Sequence, residues 1–492
     1  MIRGGVVQRL NDYLYGEYIS TNGSNAHILC YAAFLGSDIL STVAAISTPD
    51  SPGGIAVIRI SGDDAIVVAE RVFAPMGGKK ISDMDGYTCA YGIAHDSGER
   101  LDDCILTIFR APHSYTGENT AELSCHGGIY VTRRILRAVL KNGAEPAQPG
   151  EFTKRAFLNG KLDLTQAEAV MEIISAKGER ELKMAENLRE GAAFRLARQC
   201  SDKLVRILGD LAAWADYPEE DIPAVEPDNL VKDLTDVRKK LSSLIENYDC
   251  GRILREGIST AIVGRPNVGK STLFNCLSGC QRSIVTDIAG TTRDVIEETV
   301  SLGDIVLRLS DTAGIHQTDD VIEGIGIDIA EKTARSAELV IAVFDGSSPL
   351  TEDDFSIIRK IKDMKCVAVI NKTDEKNLVD EDFIKENFIH IVYISAKENL
   401  GIDLLKSEIE NIFSINEITI NSVCAANERQ KQCIDAALLC VDNSISALNS
   451  GEMLDAVNVL IDEAEQNLLE LTGERITNAV VDNVFSRFCV GK

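Results

Sequence analysis

Positive charge is in short supply. The chain has 50 Lys and Arg against 76 Asp and Glu, a formal net charge of −26. That balance excludes indiscriminate nucleic-acid binding, which needs a basic surface. Long apolar runs are missing as well. No run reaches about 18 residues, so no membrane-spanning helix is expected. Histidine is scarce at 6 residues, and the 13 cysteines contain no Cys-x-x-Cys pair. The Cys276-x-x-x-Cys280 spacing has no histidine nearby, which argues against a zinc site. An odd number of scattered thiols suits the reducing cytosol. Cys30-Tyr-Ala-Ala-Phe-Leu-Gly36 is apolar, but too short and too far in for a signal peptide. With 492 residues and a hydrophobic fraction of 45%, the chain is globular and too long for one core, so about two to four domains are expected.

What is present begins with Gly264-Arg-Pro-Asn-Val-Gly269-Lys270-Ser271. Every fixed position of the phosphate-binding pattern G-x-x-x-x-G-K-[ST] is matched. Ser259-Thr-Ala-Ile-Val263 reads as a buried strand before it, and Thr272-Leu-Phe-Asn-Cys-Leu277 as the start of a helix after it. The glycines let backbone N–H groups fold around phosphate oxygens at the positive end of that helix. Lys270 would reach the outer phosphates, and Ser271 would hold Mg²⁺. Asn267, Val268, Gly269, Lys270, Ser271 and Thr272 are therefore candidate nucleotide contacts.

Three short motifs follow in order. Asp311-Thr312-Ala313-Gly314 comes after the alternating run Ile305 to Ser310, where an Asp can support Mg²⁺ and a Gly N–H can meet the γ-phosphate. Asn371-Lys372-Thr-Asp374 follows the apolar run Cys366 to Ile370. A carboxylate there suits the paired N–H donors of a guanine edge. Ser395-Ala396-Lys397 follows Ile391 to Ile394 and would back the base. Together the four motifs predict a guanine-nucleotide domain with GTP and Mg²⁺. Ile315 stands where Ras-like proteins carry a water-orienting Gln, so the water must be held by another group. A Thr within Gly290-Thr-Thr-Arg-Asp294 can add a Mg²⁺ ligand. The Asn267 side chain could coordinate a monovalent cation or simply serve the turn, and the chemistry alone favours neither.

The flanks carry further motifs. They are Ser114-Tyr-Thr-Gly-Glu118-Asn-Thr-Ala-Glu122-Leu-Ser-Cys-His126-Gly-Gly128, Pro149-Gly-Glu-Phe-Thr-Lys-Arg155-Ala-Phe-Leu-Asn-Gly-Lys161-Leu-Asp163, Asp216-Tyr-Pro-Glu-Glu-Asp-Ile222 and the terminal Phe488-Cys-Val-Gly-Lys492. With the four nucleotide motifs, these resemble the tRNA modification GTPase family MnmE, also called TrmE, from about Ser41 to Lys492. The resemblance implies a GTP-hydrolysing enzyme. It would work with the flavoprotein MnmG to add a (carboxymethyl)aminomethyl group at C5 of the wobble uridine of certain tRNAs. It also implies a tetrahydrofolate one-carbon donor, a homodimer, a heterotetramer with MnmG, and G domains that pair with K⁺.

By the same resemblance, K⁺ would be ligated by Asn267, Thr286, Ile288 and Thr291, and Mg²⁺ by Ser271 and Thr292. Asp287, Ala289 and Gly290 join the GTP contacts, and Glu323 positions the water. Folate would be held by Arg59, Glu122, Lys161 and Lys492, since an Arg and two Lys suit its carboxylates and Glu122 could bond the pterin. Cys489 lies close to that site in the family, so a chemical role and a buried structural thiol both stand. Two departures are visible. His316 replaces a frequent Arg, and Thr48-Pro-Asp-Ser-Pro-Gly-Gly54 lacks the usual basic residue.

The expected organisation is α/β and α, a P-loop GTPase domain of mostly parallel sheet inserted in a helical domain and preceded by an α+β tetrahydrofolate-binding domain. Residues 1–40 read as an N-terminal extension and a candidate for disorder. Residues 41–160 would form the folate-binding and dimerisation domain, 161–256 and 419–492 the two helical parts, and 257–418 the GTPase domain. Apolar spacing near 3.6 marks helices at Leu164, Ala167, Val170, Met171 and Ile174, at Ile434, Ala437, Leu438, Val441 and Ile445, and at Leu454, Val457, Leu460 and Ile461. A cytoplasmic location is expected. The acidic balance conflicts with tRNA binding unless MnmG supplies the grip or local clusters such as Arg252, Arg255 and Arg265 do. Two other readings compete: a ribosome-assembly GTPase, and a folate-dependent one-carbon enzyme with a regulatory G domain. The first would carry a basic appendage, and the flanks here are acidic.

Overall fold

The computed structural model describes residues 41–216, 226–246, 248–279, 298–303, 305–309, 335–413 and 426–492. Two compact units emerge. One comprises Met1–Met171, Arg189–Leu241 and Gln432–Lys492, and the other Glu172–Leu188 and Ser242–Lys431. Each is described by itself.

The first unit opens with β1 (Val43–Ile46), β2 (Ile55–Ser61), α1 (Ala65–Val72), β3 (Phe73–Pro75), β4 (Thr88–Asp96), β5 (Glu99–Phe109), β6 (Thr120–His126), α2 (Ile129–Lys141), β7 (Glu145–Pro146) and α3 (Glu151–Leu158). The seven strands form one sheet in the order β3-β4-β5-β6-β2-β1-β7. Pairing is antiparallel except where β1 meets β7. Alternation along the strands decides the faces. Ile58, Ile60, Leu106, Ile108 and Leu123 are buried with Val68, Val72, Ile135 and Val139 of the two helices. Val43 and Ala45 join a smaller cluster with Ala147 and Phe152, packed by Tyr115. Register sets Arg59 directly opposite Glu122.

Helices follow: α4 (Leu164–Ser175), α5 (Glu179–Arg189), α6 (Ala192–Asp216), α7 (Pro227–Ile245) and α8 (Tyr248–Glu256). The expected apolar stripe of α4 is covered through Met171, whereas Ile174, in the last turn, is 45% exposed.

The nucleotide motifs lie in β8 (Ile258–Val263), α9 (Lys270–Gly279), β9 (Glu298–Leu302), β10 (Ile305–Leu309), β11 (Leu339–Asp345), α10 (Glu352–Ile361), β12 (Cys366–Asn371), α11 (Glu381–Asn387), β13 (Ile391–Tyr393) and α12 (Ile402–Ile412). Among the described residues these strands form a sheet in the order β13-β12-β11-β8-β10-β9. All neighbours run parallel except β9 with β10. Strands β11 and β12 are apolar at nearly every position because helices cover both faces. Ile341, Val343, Val367 and Val369 pack with Leu273, Phe274, Leu405 and Ile409 on one face. Val340, Ala342, Phe344 and Ala368 pack with Ile358, Ile361 and Ile384 on the other.

The chain closes with α13 (Glu428–Ser450), α14 (Leu454–Thr472) and α15 (Asn478–Ser486). Phe485 and Phe488 pack with Phe157, Leu158 and Leu164, so the last helix joins the helices that follow the first sheet. Helix α14 packs on α6, where Arg198 meets Glu474 at 2.8 Å.

One carboxylate in that helix pair is poorly served. Glu465 is 6% exposed. Its Oε1 accepts from Ser201 Oγ at 2.8 Å, and among the described residues its Oε2 has no hydrogen-bond partner. Burial pushes its pKa up to about 6, with the Ser201 bond and Arg198 acting the other way. A folded pKa above the unfolded value means a stabilising contribution present below about pH 4.5 and lost as pH rises through about 6, roughly 2 kcal/mol in all. Glu465→Gln should therefore shrink the gain in thermal stability between pH 7 and pH 5. An unaltered pH dependence of the melting temperature would refute this.

Candidate functional site

The phosphate loop leaves β8 through three residues with left-handed backbone: Gly264 at φ +157°, Asn267 at +64° and Gly269 at +99°. A Cβ at Gly264 would lie 2.5 Å from Val343 O, and one at Gly269 would lie 2.2 Å from Asn371 Nδ2. Both glycines are dictated by close approach. Asn267 has a backbone reason of its own, because Asn tolerates this conformation better than most residues. Lys270 opens α9 and donates from Nζ to Gly264 O at 2.7 Å and Arg265 O at 2.8 Å. Burial holds its ammonium below the ordinary lysine range, and among the described residues no carboxylate pairs with it. A desolvated cation facing only carbonyls fits an anionic ligand such as a phosphate chain. Ser271 and Thr272 follow in the first turn of α9, where a hydroxyl can serve Mg²⁺.

The base motif is tied to this loop by Asn371, which is 3% exposed. Its Nδ2 donates to Val268 O at 2.9 Å, and its Oδ1 accepts from Ala396 N at 3.0 Å. One side chain thus joins the phosphate loop, the end of β12 and the loop after β13. Asp374 accepts from Ser395 Oγ at 2.6 Å. That bond, helped by Lys397 and Lys372, holds the carboxyl below its usual range, so it stays a double acceptor for guanine donors. Ser395 Oγ also accepts from Glu398 N at 3.2 Å. Lys397 is exposed beside Glu398. The structure therefore brings together Asn267 to Thr272, Asn371, Lys372, Asp374, Ser395, Ala396 and Lys397. Thr286 to Thr292, Asp311 to Gly314, and Glu323 lie outside the described residues.

The second candidate cluster sits in the first unit. Arg59 Nε donates to Glu122 Oε1 at 2.8 Å, and its guanidinium lies 5.6 Å and 5.5 Å from the ring centres of Tyr115 and Phe152. Its Nη1 reaches Gly491 O at 3.5 Å. The tail is fixed further by Phe152 N donating to Lys492 O at 3.1 Å and Ser47 Oγ to Gly491 O at 3.0 Å. Burial, reinforced by Arg59 and opposed by Glu122, keeps the Lys492 ammonium below its ordinary range. Arg59, Glu122 and Lys492 are thus one cluster, with two aromatic faces beside it. Lys161 makes its contact with Pro112 O at 3.2 Å, on the loop that carries Tyr115. Cations and aromatic faces fit a flat, carboxylate-bearing ligand such as a folate. Cys489 is exposed, which removes the buried structural reading of that thiol.

Of the two ways around the acidic balance, the local cluster finds no support: Arg252, Arg255 and Arg265 do not form a basic patch. Arg252 is bonded to Glu338, Arg255 lies 3.6 Å from Glu172, and Arg265 lies 3.2 Å from Asp354. Neighbouring acids consume all three charges. Sequence reasoning also passed over Tyr115, Phe152 and Asp345. Asp345 could have been noticed as the one charge ending the apolar run of β11.

The parallel sheet, the glycine-bounded phosphate loop and the Asn371–Asp374–Ser395 cluster at the strand ends define a P-loop guanine-nucleotide-binding domain. Comparison with known proteins is consistent. "GTP-binding protein TrmE N-terminus" matches residues 42–161 and "MnmE helical domain" residues 164–489. The tRNA modification GTPase MnmE of Clostridioides difficile (strain 630) is 40% identical over 456 residues, 92% of this chain and 99% of its own. That of Acetivibrio thermocellus is 39% identical over 459 residues, with the same coverage. Among solved structures, the G domain of the T. maritima FeoB iron transporter matches 32% of this chain and 98% of its own at 26% identity, with a TM-score of 0.23, too low to bear on the fold. The chain belongs to the tRNA modification GTPase MnmE family. Among the described residues no helix is long and apolar enough to cross a membrane.

Asn371→Ala should leave Val268 O and Ala396 N buried and unpaired. GDP affinity is expected to fall at least about tenfold. Isothermal titration checks this, and unchanged affinity would contradict the tie described for Asn371.

Proposed function

We propose that this chain hydrolyses GTP and that hydrolysis serves addition of a (carboxymethyl)aminomethyl group at C5 of the wobble uridine of certain tRNAs, together with the flavoprotein MnmG. The observation that carries the nucleotide half is Lys270, a half-buried cation of the phosphate loop that, among the described residues, donates to carbonyls and pairs with no carboxylate. The tRNA half rests on family membership. Ser271 and Thr292 would hold Mg²⁺, which when bound neutralises phosphate charge. Asn267, Thr286, Ile288 and Thr291 would hold K⁺, and pairing of two G domains in a homodimer would follow. Glu323 takes the water-orienting role that Ile315 cannot fill. Arg59, Glu122, Lys161 and Lys492 would hold a tetrahydrofolate one-carbon donor. The domains would be folate-binding 41–160, helical 161–256 and 419–492, and GTPase 257–418, in the cytoplasm.

Charge distribution supports a shared grip on tRNA. Residues 42–161 hold 13 Lys and Arg against 14 Asp and Glu, so nearly all of the −26 lies elsewhere. With the arginine cluster consumed internally, MnmG would supply most of the basic surface.

Two measurements test this reading. GTP turnover should be strongly higher in KCl than in NaCl at equal ionic strength. Asn267→Gly should abolish the difference, since Gly keeps the left-handed backbone and removes only the carboxamide. Equal rates in both salts would end the K⁺ assignment. In the other unit, Arg59→Ala should weaken binding of a tetrahydrofolate by about tenfold or more and leave GTP turnover unchanged. Wild-type folate affinity in the variant would remove Arg59 from the site.

A further inference from the structure

Strand β11 ends on Asp345, in register with Asn371 of β12. No nucleotide motif includes it. Its Oδ1 accepts from Ser347 N at 2.9 Å and Ser347 Oγ at 2.6 Å, which caps the turn leaving the strand. Its Oδ2 accepts from Lys372 Nζ at 2.7 Å and lies 3.9 Å from Arg265 Nη2. One carboxylate oxygen therefore faces a cation of the base motif and a cation of the phosphate loop. Arg265 is held in turn by Ser348 Oγ and by Asp354 at 3.2 Å. Asp354 Oδ2 also accepts from Thr351 N and Oγ1, both at 2.9 Å. The arrangement is a built one. Gly346, next in sequence, donates from N to Asn371 O at 2.8 Å, and a Cβ there would come 2.9 Å from that oxygen.

Lys372 needs such a holder. Its φ is +66°, a conformation unfavourable for a residue with a long side chain. Its stem leaves the chain between Asn371 and the residues leading to Asp374, so its direction fixes the wall of the base site. Burial would raise the Asp345 pKa, but the Lys372 and Ser347 bonds outweigh it and the carboxyl lies below its usual range. The group is therefore an anion whenever the domain works.

We propose that Asp345 is a positioning residue for guanine-nucleotide binding: it holds Lys372 in place and ties it to the phosphate loop through Arg265. The inference rests on the guanine-nucleotide reading of this domain. Asn at this position keeps an acceptor for Ser347 but loses the anion shared by the two cations, so it separates positioning from turn formation.

The test uses the full chain and a fluorescent GDP analogue, with release measured by stopped flow. Asp345→Asn should release the nucleotide about tenfold faster or more, while the melting temperature without nucleotide and kcat at saturating GTP stay near wild type. In a Lys372→Met background, adding Asp345→Asn should change release little, because the partner is already gone. Arg265→Gln should accelerate release by a smaller factor. Release from Asp345→Asn at the wild-type rate overturns the proposal. So does a full effect in the Lys372→Met background, because Asp345 would then not act by holding Lys372. Wild-type release from Arg265→Gln removes the tie to the loop. Failure of the unmodified chain to bind the GDP analogue would instead overturn the guanine-nucleotide reading itself.

Discussion

The first unit depends on the return of the last few residues to the first strand. Gly491 makes that possible. Its φ is +95°, and a Cβ would come 2.3 Å from Ile46 O. No other residue lets the tail pass so close to β1. Once there, Gly491 O is gripped by Ser47 and Arg59, and Lys492 O by the backbone N–H of Phe152. The cluster of Arg59, Glu122, Tyr115, Phe152 and Lys492 is thus assembled from four separate segments. Packing of Phe485 and Phe488 against Phe157 and Leu164 delivers the tail to that place. A buried ion network lies close by. Arg155, 2% exposed, bridges Glu151 at 2.7 Å and Glu118 at 3.2 Å. Removing either carboxylate leaves Arg155 its other partner, whereas removing Arg155 strips both carboxylates of their buried cation, a loss of about 3 to 5 kcal/mol.

In the second unit, Asn371 has the corresponding position. A parallel sheet covered on both faces puts its loops at the strand ends, but loops alone do not hold a geometry. The Asn371 carboxamide fixes two of them to the strand by direct bonds. The missing Cβ of Gly269 is what lets that amide approach. Asp345, one strand over, does electrostatically what Asn371 does by neutral hydrogen bonds. Charged side chains are accordingly arranged in opposed sets here, with Arg265, Lys372, Asp345 and Asp354 satisfying one another. Among the described residues, Lys270 meets carbonyls and no carboxylate.

How much of this was legible in the sequence depends on range. The strand ends carrying Val263, Asn371 and Tyr393 were readable, because apolar runs bounded by turn residues leave few alternatives. So was the inserted order of the nucleotide motifs. The Arg59–Glu122 contact was not readable as a pair, since it follows from strand register across 63 positions. The pairing of Arg252, Arg255 and Arg265 was not readable for the same reason. A linear cluster of cations says nothing about the acids that folding brings to it, here Glu338, Glu172 and Asp354. The left-handed backbone of Asn267 adds a constraint that chemistry alone had left undecided.

The distribution of lysines offers the closing argument. In a chain with 26 more acids than bases, a cation is expected to find a carboxylate. Several do, such as Lys203 with Asp233 and Asp236 and Lys372 with Asp345. Among the described residues, burial holds two lysine ammoniums below their ordinary range, and they are Lys270 and Lys492. Neither forms an ion pair there, one lies in each unit, and each sits in a candidate ligand cluster. Desolvating a cation without an anion is unfavourable, so it persists where a ligand supplies the missing charge. A phosphate chain would meet that need at Lys270, and the proposed carboxylate-bearing folate would meet it at Lys492. The excess of acid elsewhere then sharpens selection at these two positions, because it leaves anionic ligands few other places on the chain to bind.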